Sequence, residues 1–216
     1  MSVKGLIFDF DYTLADSSKG AVECINYALR ELGFQKKPEK DICKTIGMSL
    51  RDTFVSLTGS ENADLADEFR KNFIKRADEV MADLTVLFED VPDTLEYLRS
   101  KDMKMAIVST KFRYRIEAIL QRDNLLDMFD AIVGGEDVSK NKPDPEGLLE
   151  ALKRIELPEN QCIYIGDSLI DAETARSARI RFIAVLSGET TREDFENSGT
   201  TDIINNFNSL KKILFK

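Results

Sequence analysis

Apolar and polar residues form two kinds of pattern along the chain. Uninterrupted apolar runs predict strands, and apolar residues at helical spacing predict amphipathic helices. The first apolar run, Gly5-Leu-Ile-Phe, contains no polar residue and is followed at once by a polar cluster. An uninterrupted run of this kind is typical of a strand that is buried on both faces of a parallel sheet. We predict five such strands, at residues 4–9, 104–109, 131–134, 161–166 and 182–186.

The segment between the first two strands contains only helical patterns. Val22, Ile25 and Leu29 recur at helical spacing and form an apolar stripe. Ser49 is a residue type that caps helices, and the helix that follows it is predicted to end near Gly59. Residues 62–83 then form a longer amphipathic pattern, so that no strand is predicted between the first strand and residue 86.

This arrangement predicts an α/β fold with an insertion. Beyond the helical segment, strands and helices alternate, which is typical of parallel βαβ units. About seventy helical residues are too many for one strand-to-helix connection and indicate an inserted domain. We predict a doubly wound, Rossmann-like parallel-sheet core at residues 1–15 and 87–216. An all-helical domain at residues 16–86 interrupts it, with crossings near residues 15–18 and 84–91.

Composition narrows the chemistry and the setting. The chain has no histidine, which excludes histidine-based nucleophilic catalysis and histidine metal sites. Three scattered cysteines without metal-ligand spacing predict reduced thiols, and the first residues lead directly into a strand, leaving no room for a signal peptide. No apolar run approaches the ~20 residues of a membrane span, and the net charge of −9 disfavours nucleic acid and anionic membranes as partners. We expect a cytoplasmic monomer or weak homodimer.

Candidate chemistry begins where the first strand ends, at Asp9-x-Asp11-x-Thr13. Ligands bind at the carboxyl ends of strands in open α/β sheets. Two carboxylates placed there repel each other unless a cation neutralises them, and oxygen ligands favour a hard ion such as Mg2+. The pattern predicts a metal-assisted carboxylate nucleophile, with an ordinary polar loop as the alternative.

Three further polar segments lie at predicted strand ends or just before a helix. They are Ser109-Thr110 after the second strand, Lys142 followed by Pro143, and Gly166-Asp167-Ser168-x-x-Asp171 after the fourth strand. Together with the first segment, and in this order, they resemble the four motifs of the haloacid dehalogenase superfamily, in particular its phosphoglycolate phosphatase-like branch. The resemblance extends over essentially the whole chain.

The resemblance implies a role for each acidic residue. Asp9 would attack phosphorus and become an aspartyl phosphate, and Asp11 would act as general acid and then as general base. The Mg2+ ligands would be Asp9, the backbone carbonyl of Asp11, and Asp167. Asp171 would assist, either at the metal or by orienting Lys142; a carboxylate that caps a helix is the alternative.

The resemblance also implies contacts to the substrate. Lys142 would neutralise the carboxylate–phosphate cluster, and Ser109 would hydrogen-bond a phosphoryl oxygen. Thr13 and Thr110 belong to the same phosphate site, although relatives usually carry asparagine where this chain has Thr110. Lys111 follows directly and is a candidate for holding an acidic leaving group.

Residues 45–51 resemble the substrate-facing loop of the family's helical cap domain. Gly47 would permit close approach of a ligand, and Arg51 would meet a carboxylate or a second phosphate. An exposed helix arginine is the alternative for Arg51.

The expected function is hydrolysis of a small phosphorylated metabolite by a Mg2+-dependent phosphatase, through an aspartyl phosphate. A β-phosphoglucomutase-like phosphomutase and an inorganic pyrophosphatase share the four motifs and remain alternatives. A phosphate-storing signalling module and a binding protein that has lost catalysis are alternatives from other classes. Dehalogenase or phosphonatase chemistry is disfavoured, because those relatives lack an acid/base aspartate at the position of Asp11.

Overall fold

The structure is a computed structural model that describes residues 3–215; the first two residues and Lys216, which the sequence analysis assigns to the core, lie outside the described residues. The chain divides into two compact units, one up to Ala15 and from Leu87 onward, the other Asp16–Val86. The strands are β1 Gly5–Phe8, β2 Ala15–Asp16, β3 Val86–Leu87, β4 Lys104–Val108, β5 Ala131–Val133, β6 Cys162–Gly166, β7 Arg181–Val185 and β8 Ile203–Ile204. The α-helices are α1 Ser18–Glu31, α2 Glu39–Cys43, α3 Leu50–Thr58, α4 Ala63–Val80, α5 Val91–Arg99, α6 Arg113–Arg122, α7 Glu146–Ile155, α8 Leu169–Ala178, α9 Arg192–Asn197 and α10 Leu210–Leu214.

The first unit is built on a six-stranded parallel sheet. Its strand order is β5-β4-β1-β6-β7-β8, and β2 and β3 form a separate two-stranded sheet. The chain winds outward from β1 through β4 to β5, then returns to the other side of β1 with β6. The carboxyl ends of β1 and β6 therefore define a topological switch point. The predicted parallel α/β fold is confirmed; the two-residue strands β2, β3 and β8 were not predicted, because two residues are too few to form a pattern.

Both faces of the central strand β1 are covered, which explains its continuous apolar sequence. Successive side chains of a strand point to opposite faces. Ile7 belongs to a buried cluster with Leu148 of α7 and Ala175 of α8. Phe8 packs on the other side, with ring centroids 6.3 Å from Phe129 and 5.3 Å from Phe207.

The sheet register brings the polar segments to one edge. Phe8, the last residue of β1, is paired with Ile107 of β4 and with Ile165 of β6. Because the three strands are parallel and adjacent, the residues that follow them leave the sheet side by side. Asp9 also donates its backbone N–H to the carbonyl of Ile165 at 2.9 Å, which extends the pairing to the first acidic residue.

The second unit is helical and has its own apolar core, in which Phe54 and Phe69 are fully buried. Ser49 caps α3 by accepting a hydrogen bond from the backbone N–H of Asp52 at 3.1 Å, and Gly59 ends the helix in a left-handed conformation with φ 71°. Both helix ends lie where the sequence predicts them, since hydroxyl caps and left-handed glycines satisfy the free backbone groups of helix termini. Throughout residues 3–215, no helix combines the length and apolar composition that a membrane crossing requires.

Candidate active site

A buried cluster of three carboxylates and one ammonium lies at the switch point of the sheet. Asp9 follows β1, Asp167 follows β6, and Asp171 lies in the first turn of α8. Single oxygens of the three lie within 4.8 Å of one another. The Nζ of Lys142, which precedes α7, lies 3.0 Å from Oδ1 of Asp9 and 2.7 Å from Oδ1 of Asp171.

Both oxygens of Asp171 are fully engaged by donors of the chain. Oδ1 accepts hydrogen bonds from Nζ of Lys142 at 2.7 Å and from the hydroxyl of Tyr164 at 2.7 Å. Oδ2 accepts from the backbone N–H of Ser168 at 3.2 Å and from its hydroxyl at 2.5 Å, while that hydroxyl accepts from the N–H of Asp171. Asp171 therefore closes a capping box at the start of α8 and also orients Lys142. The helix-capping carboxylate, the alternative considered for Asp171, is therefore present, and the same side chain also contacts Lys142.

The cluster holds more negative charge than Lys142 neutralises. Burial raises the pKa of the Asp9 carboxyl from 3.8 to about 7; Lys142 opposes this shift, and Asp171 and Asp11 add to it. Burial, reinforced by Asp171 and Asp9, raises the pKa of Asp167 well above its usual range. Burial lowers the pKa of Lys142, but its two carboxylate partners outweigh that effect and hold the pKa above the ordinary lysine value.

Asp9 carries a further sign that a cation belongs here. Its buried Oδ1 lies 3.0 Å from the Nζ of Lys142, an ammonium that Asp9 shares with Asp171. One ammonium cannot neutralise two ionised carboxylates, and buried charge is costly unless it is compensated. Asp9 and Asp167 thus offer oxygen ligands that fit a hard divalent metal ion.

Asp11 lies beside this cluster but has a separate partner. Its Oδ1 lies 2.9 Å from Nζ of Lys111, and both side chains are more than nine-tenths buried. Within residues 3–215, Oδ1 of Asp11 is buried and accepts no hydrogen bond of good geometry, so the ion pair with Lys111 is the contact that compensates it. Thr13, two residues on, donates its hydroxyl to Oδ1 of Asp167 at 3.1 Å and ties the first polar segment to the fourth.

The hydroxyl segment after β4 lies at the same edge of the sheet. Ser109 is buried, and its Oγ accepts a hydrogen bond from the backbone N–H of Lys111 at 3.3 Å. Thr110 lies between them and is half-buried. Gly135, after β5, approaches so closely that a β-carbon there would lie 2.5 Å from the carbonyl oxygen of Thr110.

The candidate residues Gly47 and Arg51 belong to the helical unit. Gly47 has a left-handed backbone with φ 92°, and no atom of residues 3–215 outside its immediate chain neighbours would lie within 4 Å of a β-carbon there. Arg51 is exposed in the first turn of α3.

Sequence reasoning missed Tyr164 and the segment Ser187-Gly188. The hydroxyl of Tyr164 lies 3.2 Å from Nζ of Lys142, in addition to its bond with Asp171. A signal was present, because tyrosine is the one residue of β6 with a strongly polar tip. Ser187 and Gly188 follow the predicted strand β7 and so also lie at a strand's carboxyl end.

The chain thus combines a parallel α/β sheet with a buried acidic cluster and a buried lysine at the switch point of the sheet. The sequence profile of the haloacid dehalogenase-like hydrolases matches residues 6–185. The chain therefore belongs to the haloacid dehalogenase-like hydrolase family.

Individual relatives support this family assignment. A phosphoglycolate phosphatase of Aquifex aeolicus is 30% identical over 204 residues, covering 92% of this chain and 94% of the relative. A pyrophosphatase, PpaX, of Bacillus anthracis is 28% identical over 211 residues, covering 94% and 96% respectively. The crystal structure of a protein from Bacteroides fragilis, described as haloacid dehalogenase-like hydrolase, superposes with a TM-score of 0.93 at 42% identity, covering 97% of this chain and all of that one.

Proposed function

We propose that the protein is a Mg2+-dependent phosphatase that hydrolyses a small phosphorylated metabolite through an aspartyl phosphate. The observation that carries this proposal is the buried cluster at the switch point, in which single oxygens of Asp9, Asp167 and Asp171 lie within 4.8 Å of one another beside the ammonium of Lys142. Family membership and the phosphatase and pyrophosphatase relatives support it.

In this proposal Asp9 and Asp11 divide the chemistry between them. A carboxylate oxygen of Asp9 attacks phosphorus, the bond from phosphorus to the ester oxygen breaks, and Asp11 donates a proton to the leaving oxygen. A water molecule then attacks the aspartyl phosphate, Asp11 takes a proton from that water, and phosphate and free Asp9 are released. The contact of Lys111 with Asp11, at 2.9 Å, fixes where the acid/base carboxyl lies.

Other residues bind and orient the phosphoryl group. Lys142, held by Asp171 and Tyr164, places its positive charge beside the attacking oxygen of Asp9. Ser109 and Thr110 supply hydroxyl groups at the same edge of the sheet, whereas the hydroxyl of Thr13 is already donated to Asp167, and Thr13 serves the phosphate site through that carboxylate.

The metal would be held by Asp9, Asp167 and the backbone carbonyl of Asp11, and it would supply charge neutralisation for the phosphoryl oxygens. Thr13 fixes the Asp167 carboxylate for that task. Asp171 contributes by orienting Lys142, since its two oxygens already accept four hydrogen bonds.

The substrate's leaving group is proposed to be anionic. Lys111 puts a second buried ammonium next to Asp11, the residue that would face the leaving oxygen. Phosphoglycolate, with a carboxylate, and pyrophosphate, with a second phosphate, both satisfy this requirement. Inorganic pyrophosphatase activity is therefore the second candidate, and the PpaX relative also favours it.

The first test is phosphate release from p-nitrophenyl phosphate, with and without EDTA, followed by a panel of phosphoglycolate, sugar phosphates, nucleotides and pyrophosphate. We expect EDTA to abolish turnover, Mg2+ to restore it, and D9N to be inactive while still folded. Full activity in excess EDTA, or wild-type turnover by D9N, would contradict the proposal.

The helical unit's loop is proposed to contribute to substrate choice through Gly47 and Arg51. We expect R51A to lower kcat/KM for the best substrate of the panel roughly ten- to hundredfold, because a charge-assisted contact is lost. The loss for p-nitrophenyl phosphate should be small. R30A, which removes another exposed arginine of this unit, is the control and should change both values equally. An unchanged ratio in R51A would identify Arg51 as a solvated helix residue.

A further inference from the structure

The loop that follows β7 touches two active-site segments, although it belongs to none of the four motifs. Ser187 donates its hydroxyl to the backbone carbonyl of Tyr12, 175 residues earlier in the chain. Gly188 lies directly against the carboxylate of Asp167. One dipeptide thus meets both the segment that carries Asp11 and the acidic residue after β6.

The hydrogen bond from Ser187 stabilises an unfavourable backbone conformation at Tyr12. Tyr12 has φ 58°, in the left-handed region that a bulky residue rarely adopts. It lies between Asp11 and Thr13, and its N–H donates to the carbonyl of Ala15 at 2.7 Å. The N–H of Tyr12 is therefore fixed by Ala15 and its carbonyl by Ser187, so that both polar backbone groups of this residue are hydrogen-bonded.

The contact at Gly188 leaves no room for a side chain. A β-carbon there would collide with Oδ2 of Asp167 and lie 2.8 Å from Cγ and 3.1 Å from Cβ of that residue. The backbone of Gly188 is outside the left-handed range, so close approach to Asp167 is what requires glycine. The carboxylate is held between this backbone and the hydroxyl of Thr13.

We infer that Ser187 and Gly188 are positioning residues of the active site, Gly188 for the Asp167 carboxylate and Ser187 for the turn that carries Asp11. The inference rests on the proposed function, in which Asp167 is a metal ligand and Asp11 the acid/base. Neither residue contacts the reacting atoms in this scheme; each acts through the group it holds.

The test for Gly188 is the variant G188A, with T190A in the same loop as the control. An alanine methyl group forces either the Asp167 carboxylate or the loop to move, so Mg2+ binding to the free protein should weaken roughly 10- to 100-fold. Isothermal titration with Mg2+ measures this without any substrate. The displaced carboxylate or loop should also lower the melting temperature in EDTA, so the Mg2+ titration is made at a temperature at which G188A is fully folded.

The test for Ser187 is the pair S187A and S187T, with S198A as a matched control. Ser198 also donates a hydroxyl to a backbone carbonyl, that of Phe195 at 2.7 Å, in the same unit. We expect S187A to lower kcat for p-nitrophenyl phosphate roughly tenfold with little change in KM, because a misplaced acid/base slows chemistry more than binding. S187T should recover most of the loss, and S198A should leave kcat unchanged.

The outcomes separate this inference from the function on which it rests. If wild type hydrolyses phosphate esters and binds Mg2+, but G188A binds Mg2+ equally well and S187A keeps its kcat, only the positioning roles are overturned. Weakened Mg2+ binding and lowered kcat that merely follow a fall in melting temperature, in the controls as well, would also overturn them. A wild-type protein that neither binds Mg2+ nor hydrolyses the panel would overturn both.

Discussion

At the scale of single residues, Lys142 supplies the positive charge that offsets the buried carboxylates when no metal is bound. Its ammonium pairs with Asp9 and Asp171, and its side chain is only 5% exposed. Removing one partner of a buried ion pair leaves an uncompensated charge, which typically costs about 3–5 kcal/mol. Lys142 is therefore predicted to be the most sensitive position of the cluster for stability in EDTA.

We expect K142M to lose about 3–5 kcal/mol of unfolding free energy at neutral pH in EDTA. The matched control is K140M, two residues earlier in the same loop, where the lysine is 72% exposed and lies 3.7 Å from Asp144. That change should stay within about 0.5 kcal/mol, as for most surface substitutions. Urea unfolding of both variants is the measurement, and equal effects would contradict the assignment.

Asp9 predicts an unusual dependence of stability on pH. Its pKa in the folded protein, about 7, is above the ordinary 3.8, so between these values the folded state binds more protons than the unfolded chain. The free energy of unfolding in EDTA should therefore fall as pH rises from about 4 to 7. The fall should be shallower in D9N, which cannot titrate there. Parallel slopes for wild type and D9N in urea titrations across this range would show that the carboxyl has an ordinary pKa.

The residues that sequence reasoning brought together and those that it missed differ in a physical way. Asp9, Ser109 and Asp167 follow continuous apolar runs, and parallel strands deliver their carboxyl ends to one edge, so their proximity is predictable. The ion pair of Lys111 with Asp11 and the hydroxyl of Tyr164 on Asp171 depend on side-chain directions. No one-dimensional pattern contains those directions.

At the scale of elements, α8 joins local stability to the site, because its first turn supplies Asp171 and its cap is Ser168. α9 begins with the same device, a capping box of Thr191 and Asp194. The two caps are equivalent in their effect on the helix, but only the first also engages the partner of Lys142. This makes α9 an internal comparison for α8.

We expect S168A and T191A each to cost about 1 kcal/mol of stability through loss of the cap. Only S168A should also lower kcat, by about three- to tenfold, because Asp171 loses the 2.5 Å hydrogen bond from the serine hydroxyl and holds Lys142 less firmly. Thermal unfolding and p-nitrophenyl phosphate kinetics on both variants give the comparison. If T191A lowered kcat as much as S168A, the effect would come from general destabilisation.

Strand prediction succeeded where the strand is buried, including the edge strand β5, and failed at the short edge strand β8. β1, β4 and β6 consist of four or five residues and are almost entirely buried, which produces the apolar runs that predict them. β8 has two residues, Ile203–Ile204, and two apolar residues carry no periodicity. The inserted helices have periodic stripes and caps such as Ser49, and both signals extend over several turns.

At the scale of the whole molecule, the net charge of −9 opposes an anionic substrate that the lysines of the site attract. Added salt screens the distant repulsion more than the buried, short-range attraction. At saturating Mg2+ we expect kcat/KM for p-nitrophenyl phosphate to rise as NaCl increases from near zero to about 0.1 M, where the Debye length is about 10 Å. A steady fall over this range would show that the local lysines dominate the approach of the substrate.

The position of β1 in the sheet has a consequence for how the chain reaches its native state. β1 comes first in sequence yet lies between β4 and β6, so Gly5 must find Lys104 and then Cys162. Contacts between such distant segments carry a loop-closure cost and slow folding, whereas helices pair locally and quickly. Early formation of the helical insertion would shorten the effective distance between β1 and β4. Synthesis on the ribosome would therefore leave β1 without sheet partners until the polypeptide has grown past the insertion. Its apolar residues would be exposed to chaperones during that interval.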